Sequence, residues 1–357
     1  MHTKLITTIA AAAAYASAVP LAQAATGYNQ LAPLSVLTTT GSTVYSGSTI
    51  DGTTAYNLIG GTTTKEFTRT TGLGVSNTTT QITSSTATNT ATGGTSQLAG
   101  ILRSANATTL QIPDTSFDAV YRVNKTTGAI STYVDKATLQ GSAAAFNVFG
   151  SSIFSTGEAV IYDNTAAAPR FRGTNAGAAY DVATAAAITT AAGGSYTYGG
   201  FTVGGSDNTL ILVDNNSTAA SRRILSYNTA SGTSTTLLTA GDITGVTGGA
   251  TAAFLATAFY YSAADSLVYF YDNTTKNILS FNPTAATPAS TLQNVLTGPQ
   301  LTAGPEGGTG VTYFSTFNNQ IAWSNVSGTG VGLYSIPEPA SMALLGVGGV
   351  ALLRRRR

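Results

Sequence analysis

The chain has no cysteine, and its one histidine is His2. Without thiols there are no disulfides, thiolate nucleophiles or zinc–thiolate sites. With His2 inside an N-terminal leader, the body has no imidazole base, no Ser-His-Asp triad and no His-ligated metal. Charge is scarce as well: 9% of residues, against about 25% in an ordinary soluble domain. Lys4, Arg354 to Arg357 and Glu338 belong to the two terminal segments. Setting them aside leaves 11 basic and 14 acidic residues, a body near −3. A nucleic-acid ligand, which calls for a clustered basic patch, does not fit that balance. The nearest candidate, Arg222-Arg223, reads as a solvated turn.

Thr, Ser, Gly, Ala and Asn take the place of the missing charges. At 43% hydrophobic, 357 residues can still bury a sizeable core without staples. Low charge at this hydrophobicity is not the signature of disorder. It suits strands and turns kept wet by hydroxyl and amide groups.

The two ends are distinct. Lys4 opens a positive segment, and Leu5 to Val19 is an Ala-rich apolar stretch too short for an ordinary membrane span. Pro20 follows, and Ala22-Gln23-Ala24 is a small-x-small cleavage site. Residues 1–24 are therefore expected to be a helical secretory signal peptide cut after Ala24. At the other end, Pro337-Glu338-Pro339 precedes fourteen apolar or small residues, Ala340 to Leu353, and then Arg354, Arg355, Arg356 and Arg357. The apolar stretch falls short of the about 20 residues that span comfortably, but a tight helix in a thinned bilayer can manage. The arginines would hold that end at the cytoplasmic face.

This tail, residues 336–357, resembles the PEP-CTERM sorting signal of Gram-negative bacteria. The resemblance implies processing at Pro337-Glu338-Pro339 by an exosortase-type enzyme after passage through the export machinery. It also implies an inner-membrane anchor before processing, and a destination at the cell surface or in an exopolysaccharide matrix. It implies nothing about the activity of the cargo.

Between the ends, residues 25–335 read as all-β. Glu158 to Asn164, Asp207 to Asn215, Asp265 to Asn273 and Gln320 to Asn325 are apolar strands ending in Asp-Asn or a related turn. Asp163, Asp214, Asp272 and Asn325 mark them at intervals of 51, 58 and 53 residues. Ile224 to Asn228 and Ile278 to Asn282 follow the second and third. Ala119 to Val123 with Ala129 to Tyr133, and Thr53 to Ile59 with Lys65 to Arg69, are further hairpins. Ser76 to Gly94 reads as a loop or irregular strands, and Ala183 to Ala192 is the nearest approach to a helix. A period near 50 with about four strands resembles the degenerate repeats of extracellular β-propellers, and predicts six blades, with seven smaller ones as the alternative. Leu267 to Tyr271, apolar at successive positions, is expected to be an inner strand covered on both faces.

Candidate sites are sparse. Asp163, Asp214 and Asp272 would either ring a channel mouth and take a cation or sugar hydroxyls, or make Asx turns with their own backbone; the turn is the favoured reading. Glu66, Glu158, Glu306 and eleven Asp residues offer carboxylates for glycoside chemistry, with no pairing visible. Gly304 to Gly308 lacks the Lys of a phosphate loop. No catalytic residue, metal ligand or cofactor is assigned. The sequence favours a non-enzymatic surface or matrix protein, structural, adhesive or binding. A polysaccharide-active or lactone-hydrolysing propeller enzyme and a carbohydrate-binding protein are the alternatives, and exopolysaccharide is the candidate extracellular partner.

Overall fold

The computed structural model describes residues 28–336, apart from 42–44, 61–64, 96–97, 99–101, 144, 166–168, 250–253, 304–309 and 328–331. Ala22, Ala24, Pro337, Glu338, Pro339, the four terminal arginines, Glu306 and the two expected terminal helices lie outside the described residues.

Six four-stranded antiparallel sheets are present among the described residues, and each is a propeller blade. The innermost strands of blades 1 to 6 are Tyr45–Asp51, Arg103–Ser104, Val148–Ile153, Tyr198–Gly204, Phe254–Ser262 and Gly310–Phe317. Blades 1 to 5 are each built from consecutive strands. Blade 6 takes three strands from residues 310–335, and its outermost strand is Asn29–Pro33. Asn29 pairs with Ser335 and Pro33 with Gly332, so the ring is closed by segments three hundred positions apart. Ring contacts hold that strand in place. Tyr28 stands edge-on to Trp323 and Tyr334, both at 5.4 Å, and Trp323 stacks on Tyr334 at 4.5 Å. All three are 1% exposed, so the closure buries aromatic area that nothing else would cover.

In blades 3, 4 and 5 the second strand is a run of apolar residues because neighbouring blades cover it on both faces. Leu267–Asp272 is such a strand: it lies second from the axis, with Phe254–Ser262 inside it, and is covered on both faces as its run of apolar residues led one to expect. Leu210 to Val213, Val160 to Tyr162 and Val268 to Tyr271 are buried almost completely, and their side chains fill the interfaces between neighbouring blades.

Each outer strand leads into a short helix before the next blade. The helices are α1 (Leu34–Leu37), α2 (Ser85–Thr92), α3 (Lys136–Gln140), α4 (Ala185–Ala191), α5 (Ala240–Thr247) and α6 (Gly298–Thr302). Their N-caps are Pro33, Ser84, Asp135, Thr184, Thr239 and Thr297. The side chains of Ser84, Asp135, Thr184 and Thr239 accept an N–H from the third helical residue, which satisfies an otherwise orphaned donor. Four residues after each cap comes a fully buried side chain: Leu37, Thr88, Leu139, Ile188, Ile243 and Leu301. The residue before each cap (Ala32, Thr83, Val134, Ala183, Leu238, Leu296) is also buried; at five of the helices both positions are apolar, the residue pattern of a hydrophobic staple, and at α2 they are Thr83 and Thr88. This six-fold pattern is more regular than the strand pattern. The tract Ser76 to Gly94 conforms to it: it forms the outer strand Thr78–Thr83 and helix α2, not an irregular loop.

Candidate binding site at the channel

Strand polarity gives the ring two different ends. Inner strands begin, second strands finish and helices sit at one end. Inner strands finish at the other.

The strand-end carboxylates lie at the helix end. Asp163 pairs in register with Val148, Asp214 with Tyr198 and Asp272 with Phe254, each near the start of an inner strand. All three side chains are buried, and their oxygens are committed. Asp163 accepts from the N–H of Asn147 and Thr165 and from Arg170 Nε at 3.2 Å. Asp214 accepts from Thr197 N–H and from Arg223 Nε at 2.9 Å. Asp272 accepts from the N–H of Thr274 and Thr275 and from Thr275 Oγ1. They are turn and hairpin locks, and Arg223 opens a strand and pairs with Asp214 instead of forming a solvated turn. Asp114, at the same place in blade 2, turns back on Ser116 and Phe117 N–H in the same way. In blade 1 the equivalent residue is Ile59, and the carboxylate comes from its cross-strand partner Glu66. Glu66 accepts from the hydroxyls of Thr38, Thr39 and Thr40 and from Gln81 Nε2 at 2.8 to 2.9 Å. Burial raises the Glu66 pKa, but these hydrogen bonds outweigh it and hold the carboxyl below its ordinary value. Glu158 is engaged by Tyr133, Thr174 and Ala176 N–H. Among the described residues no group of three potential metal-ligating side chains occurs.

The opposite end contains a cavity of about 250 Å³ on the channel axis, lined by all six inner strands. Counting three residues back from the marker on each second strand and crossing to the inner strand identifies one equivalent position per blade. The residues are Thr49, Arg103, Ser152, Thr202, Tyr260 and Ser315. Three of these hydroxyls join neighbouring blades: Ser152 accepts from Val203 N–H at 3.2 Å, Thr202 from Tyr261 N–H at 3.4 Å and Ser315 from Ile50 N–H at 3.0 Å. Tyr260 reaches the next blade through its hydroxyl, 3.0 Å from Thr316 Oγ1.

Arg103 departs from this ring of hydroxyls. Its guanidinium crosses the channel from blade 2, donates to the Phe314 carbonyl of blade 6 at 3.3 Å and lies 5.4 Å from the centre of the Tyr260 ring in blade 5. Burial pushes its pKa down, with Tyr260 and Tyr313 acting in the opposite direction; a guanidinium stays charged through any such shift. Among the described residues no carboxylate pairs with it. The one acidic residue of the lining, Asp51, is ion-paired to the buried Lys125, and Ser104 Oγ lies 3.1 Å from Asp51 and 2.7 Å from Lys125 Nζ. The channel is therefore polar, donor-rich and positively charged. Among the described residues apolar side chains do not close it, and Asp51 is the one carboxylate of its lining. Sequence reading missed Arg103 because an isolated arginine in a polar stretch carries no motif. The register opposite Gln111 is what exposes it.

Residues 335–357 match the family description PEP-CTERM protein-sorting motif. No curated protein matches the chain at a significant level. Among solved structures, the chain is similar to a luciferin-regenerating enzyme, at 8% identity and a TM-score of 0.53, over 84% of this chain and 92% of that one. It is also similar to the calcium-binding protein regucalcin of Agrobacterium tumefaciens, at 9% identity and a TM-score of 0.51, over 87% of this chain and 92% of that one. At these identities the likeness is one of fold alone. The sorting motif implies export, membrane anchoring at the C-terminus before processing, and an exosortase-type processing enzyme.

Proposed function

We propose that the chain is a cell-surface or extracellular-matrix protein whose six-bladed ring is a non-enzymatic binding or structural module, released to its destination through Pro337-Glu338-Pro339. In this reading residues 1–24 are a signal peptide cut after Ala24, 25–335 are the working body, and 336–357 are the sorting segment with Arg354 to Arg357 as its cytoplasmic stop. The observation that carries it is the position of the motif. The last strand of the closing blade ends at Ser335, Ile336 N–H still bonds to the Ile321 carbonyl, and the sorting motif begins with no intervening linker. A tail placed there marks the ring itself as the cargo.

The test is replacement of Pro337, Glu338 and Pro339 together by alanine in the native host. The wild-type chain should reach the surface or matrix, open to added protease on intact cells and shortened by loss of its tail. The triple variant should stay in the inner-membrane fraction at full tail length. Identical distributions of the two would overturn the reading.

A further inference from the structure

The cavity at the channel holds a positive charge that the fold does not balance. At the six equivalent positions five residues carry a hydroxyl, and four of those serve as blade-to-blade links. The sixth is Arg103. A seam that needs only a small hydroxyl gains nothing from a guanidinium, which has five N–H donors and uses one of them here on the Phe314 carbonyl. The surroundings add donors and not acceptors: Ser152 and Ser315 already accept from backbone N–H groups, so their own O–H protons are free to be offered inward. Asp51 is neutralised by Lys125. With Asp51 paired to Lys125, Arg103 is the charged residue of the lining left without an ion pair, and it lies beside a cavity of monosaccharide size.

We propose that this cavity binds a small polyhydroxylated carboxylate, of the uronic-acid class, with its carboxylate on Arg103. A planar carboxylate matches the guanidinium fork and forms paired charge-assisted hydrogen bonds. Ser152 and Ser315 supply further donors at the same level, and the Asp51–Ser104 side of the lining meets the ligand's hydroxyls. A neutral sugar would leave the guanidinium desolvated and unanswered, which is costly. The same chemistry has two sources: the free acid, and the terminal residue of an acidic polysaccharide. The inference deepens the reading of the ring as a binding module, but it is tested on purified protein. Failure of the sorting experiment would not touch it, nor would its failure touch sorting.

The experiment is calorimetric titration of the full chain, purified in mild detergent, with glucuronate, glucose, acetate and a glucuronate-terminated oligosaccharide. The probes are run against wild type, Arg103→Lys and Arg103→Ser. Glucuronate should bind wild type at least about tenfold more tightly than glucose or acetate. Arg103→Ser should lose about ten- to a hundredfold in affinity while keeping its melting temperature, since serine restores the residue type used elsewhere in the ring. Arg103→Lys should retain part of the affinity. Tighter binding of the oligosaccharide than of the free acid would assign the polymer end as the source, and the reverse would assign the free acid. Equal binding of glucose and glucuronate, or undiminished binding by Arg103→Ser, would overturn the proposal. So would a large fall in the melting temperature of Arg103→Ser without any glucuronate binding by wild type, because Arg103 would then be a structural plug.

Discussion

The two ends of the ring follow different rules. At the helix end, side chains repeat from blade to blade. Six caps are followed at a fixed spacing by six buried residues, and Asp114, Asp163, Asp214 and Asp272 lock the turns and the neighbouring strands at their own strand ends. At the channel end the repeat is broken by Arg103, and the Asp51–Ser104–Lys125 group has no counterpart described in another blade. A side chain that recurs six times answers a need every blade shares, namely packing and turn formation. One that occurs once answers a need of the molecule as a whole. The regular end is where substitutions should cost stability, and the irregular end is where they should cost binding.

The sharpest challenge comes from the closing blade, which belongs to the repeat in shape but not in chemistry. Its second strand has Asn325 where four other blades carry an aspartate, and its outer strand arrives from residues 29–33. The Tyr28–Trp323–Tyr334 cluster takes over the holding role. Trp323→Ala should cost about 3–5 kcal/mol, the largest single loss expected, and hydrogen exchange should report it first in Asn29–Pro33. A loss spread evenly over all blades would mean that the closure is no weaker than any other seam.

Asp214→Ala removes a fully buried carboxylate and strands part of the charge of Arg223, which keeps hydrogen bonds to the Ala192 and Ser195 carbonyls. The expected cost is about 3 kcal/mol, the lower end for a broken buried pair, measured by urea denaturation. Because the carboxylate is a lock and not a ligand, the loss should be the same with calcium as with chelator. A calcium-dependent difference would return the strand-end aspartates to the role of metal ligands.

Glu66 serves the same end by another route, and its signature is a pH dependence. Its folded-state pKa lies below the ordinary 4.5. The unfolded chain therefore takes up the proton first, and the stability Glu66 contributes is present above that value and lost as pH falls through the folded one. Denaturant midpoints followed from about pH 6 to pH 3 should fall for wild type and fall less steeply for Glu66→Gln. Parallel curves would show that the four donors around Glu66 do not favour its charged form.

Much of this fold was legible in the sequence. The second strands betray themselves because blades cover both of their faces, so Leu210 to Val213 and Leu267 to Tyr271 are apolar at every position. The outer strands do not. Thr78–Thr83 has one aliphatic residue in six, since only its inner edge is paired and its surface is wet. Apart from α4, which lies within the Ala183 to Ala192 stretch, the helices escaped notice because at four to eight residues they are too short for periodicity to register. Their signal was the cap and the buried residue four places on, as in Thr239 with Ile243 or Asp135 with Leu139. The pairing of Asn29 with Ser335 has no local trace at all, and neither does the role of Arg103. Both depend on where distant strands come into register.

The smallest effect expected is also the one that tests the comparison within a single ring of residues. Thr202 and Arg103 occupy equivalent positions, and the comparison assigns them opposite jobs. Thr202→Val keeps the shape of the side chain but removes the acceptor for Tyr261 N–H, a contact already long at 3.4 Å. The cost should be about 0.5–1 kcal/mol, because a weak bond is lost and a buried donor is left poorly met. Glucuronate affinity should hardly change, since the hydroxyl of Thr202 is also spent on the Val203 carbonyl at 3.3 Å. Arg103→Ser should show the reverse: stability kept, affinity lost. If instead Thr202→Val weakens ligand binding and leaves the melting temperature unmoved, the hydroxyl ring belongs to the binding surface rather than to the seams between blades. The division between a repeating end that stabilises and a singular end that binds would then have to be redrawn one layer deeper into the channel.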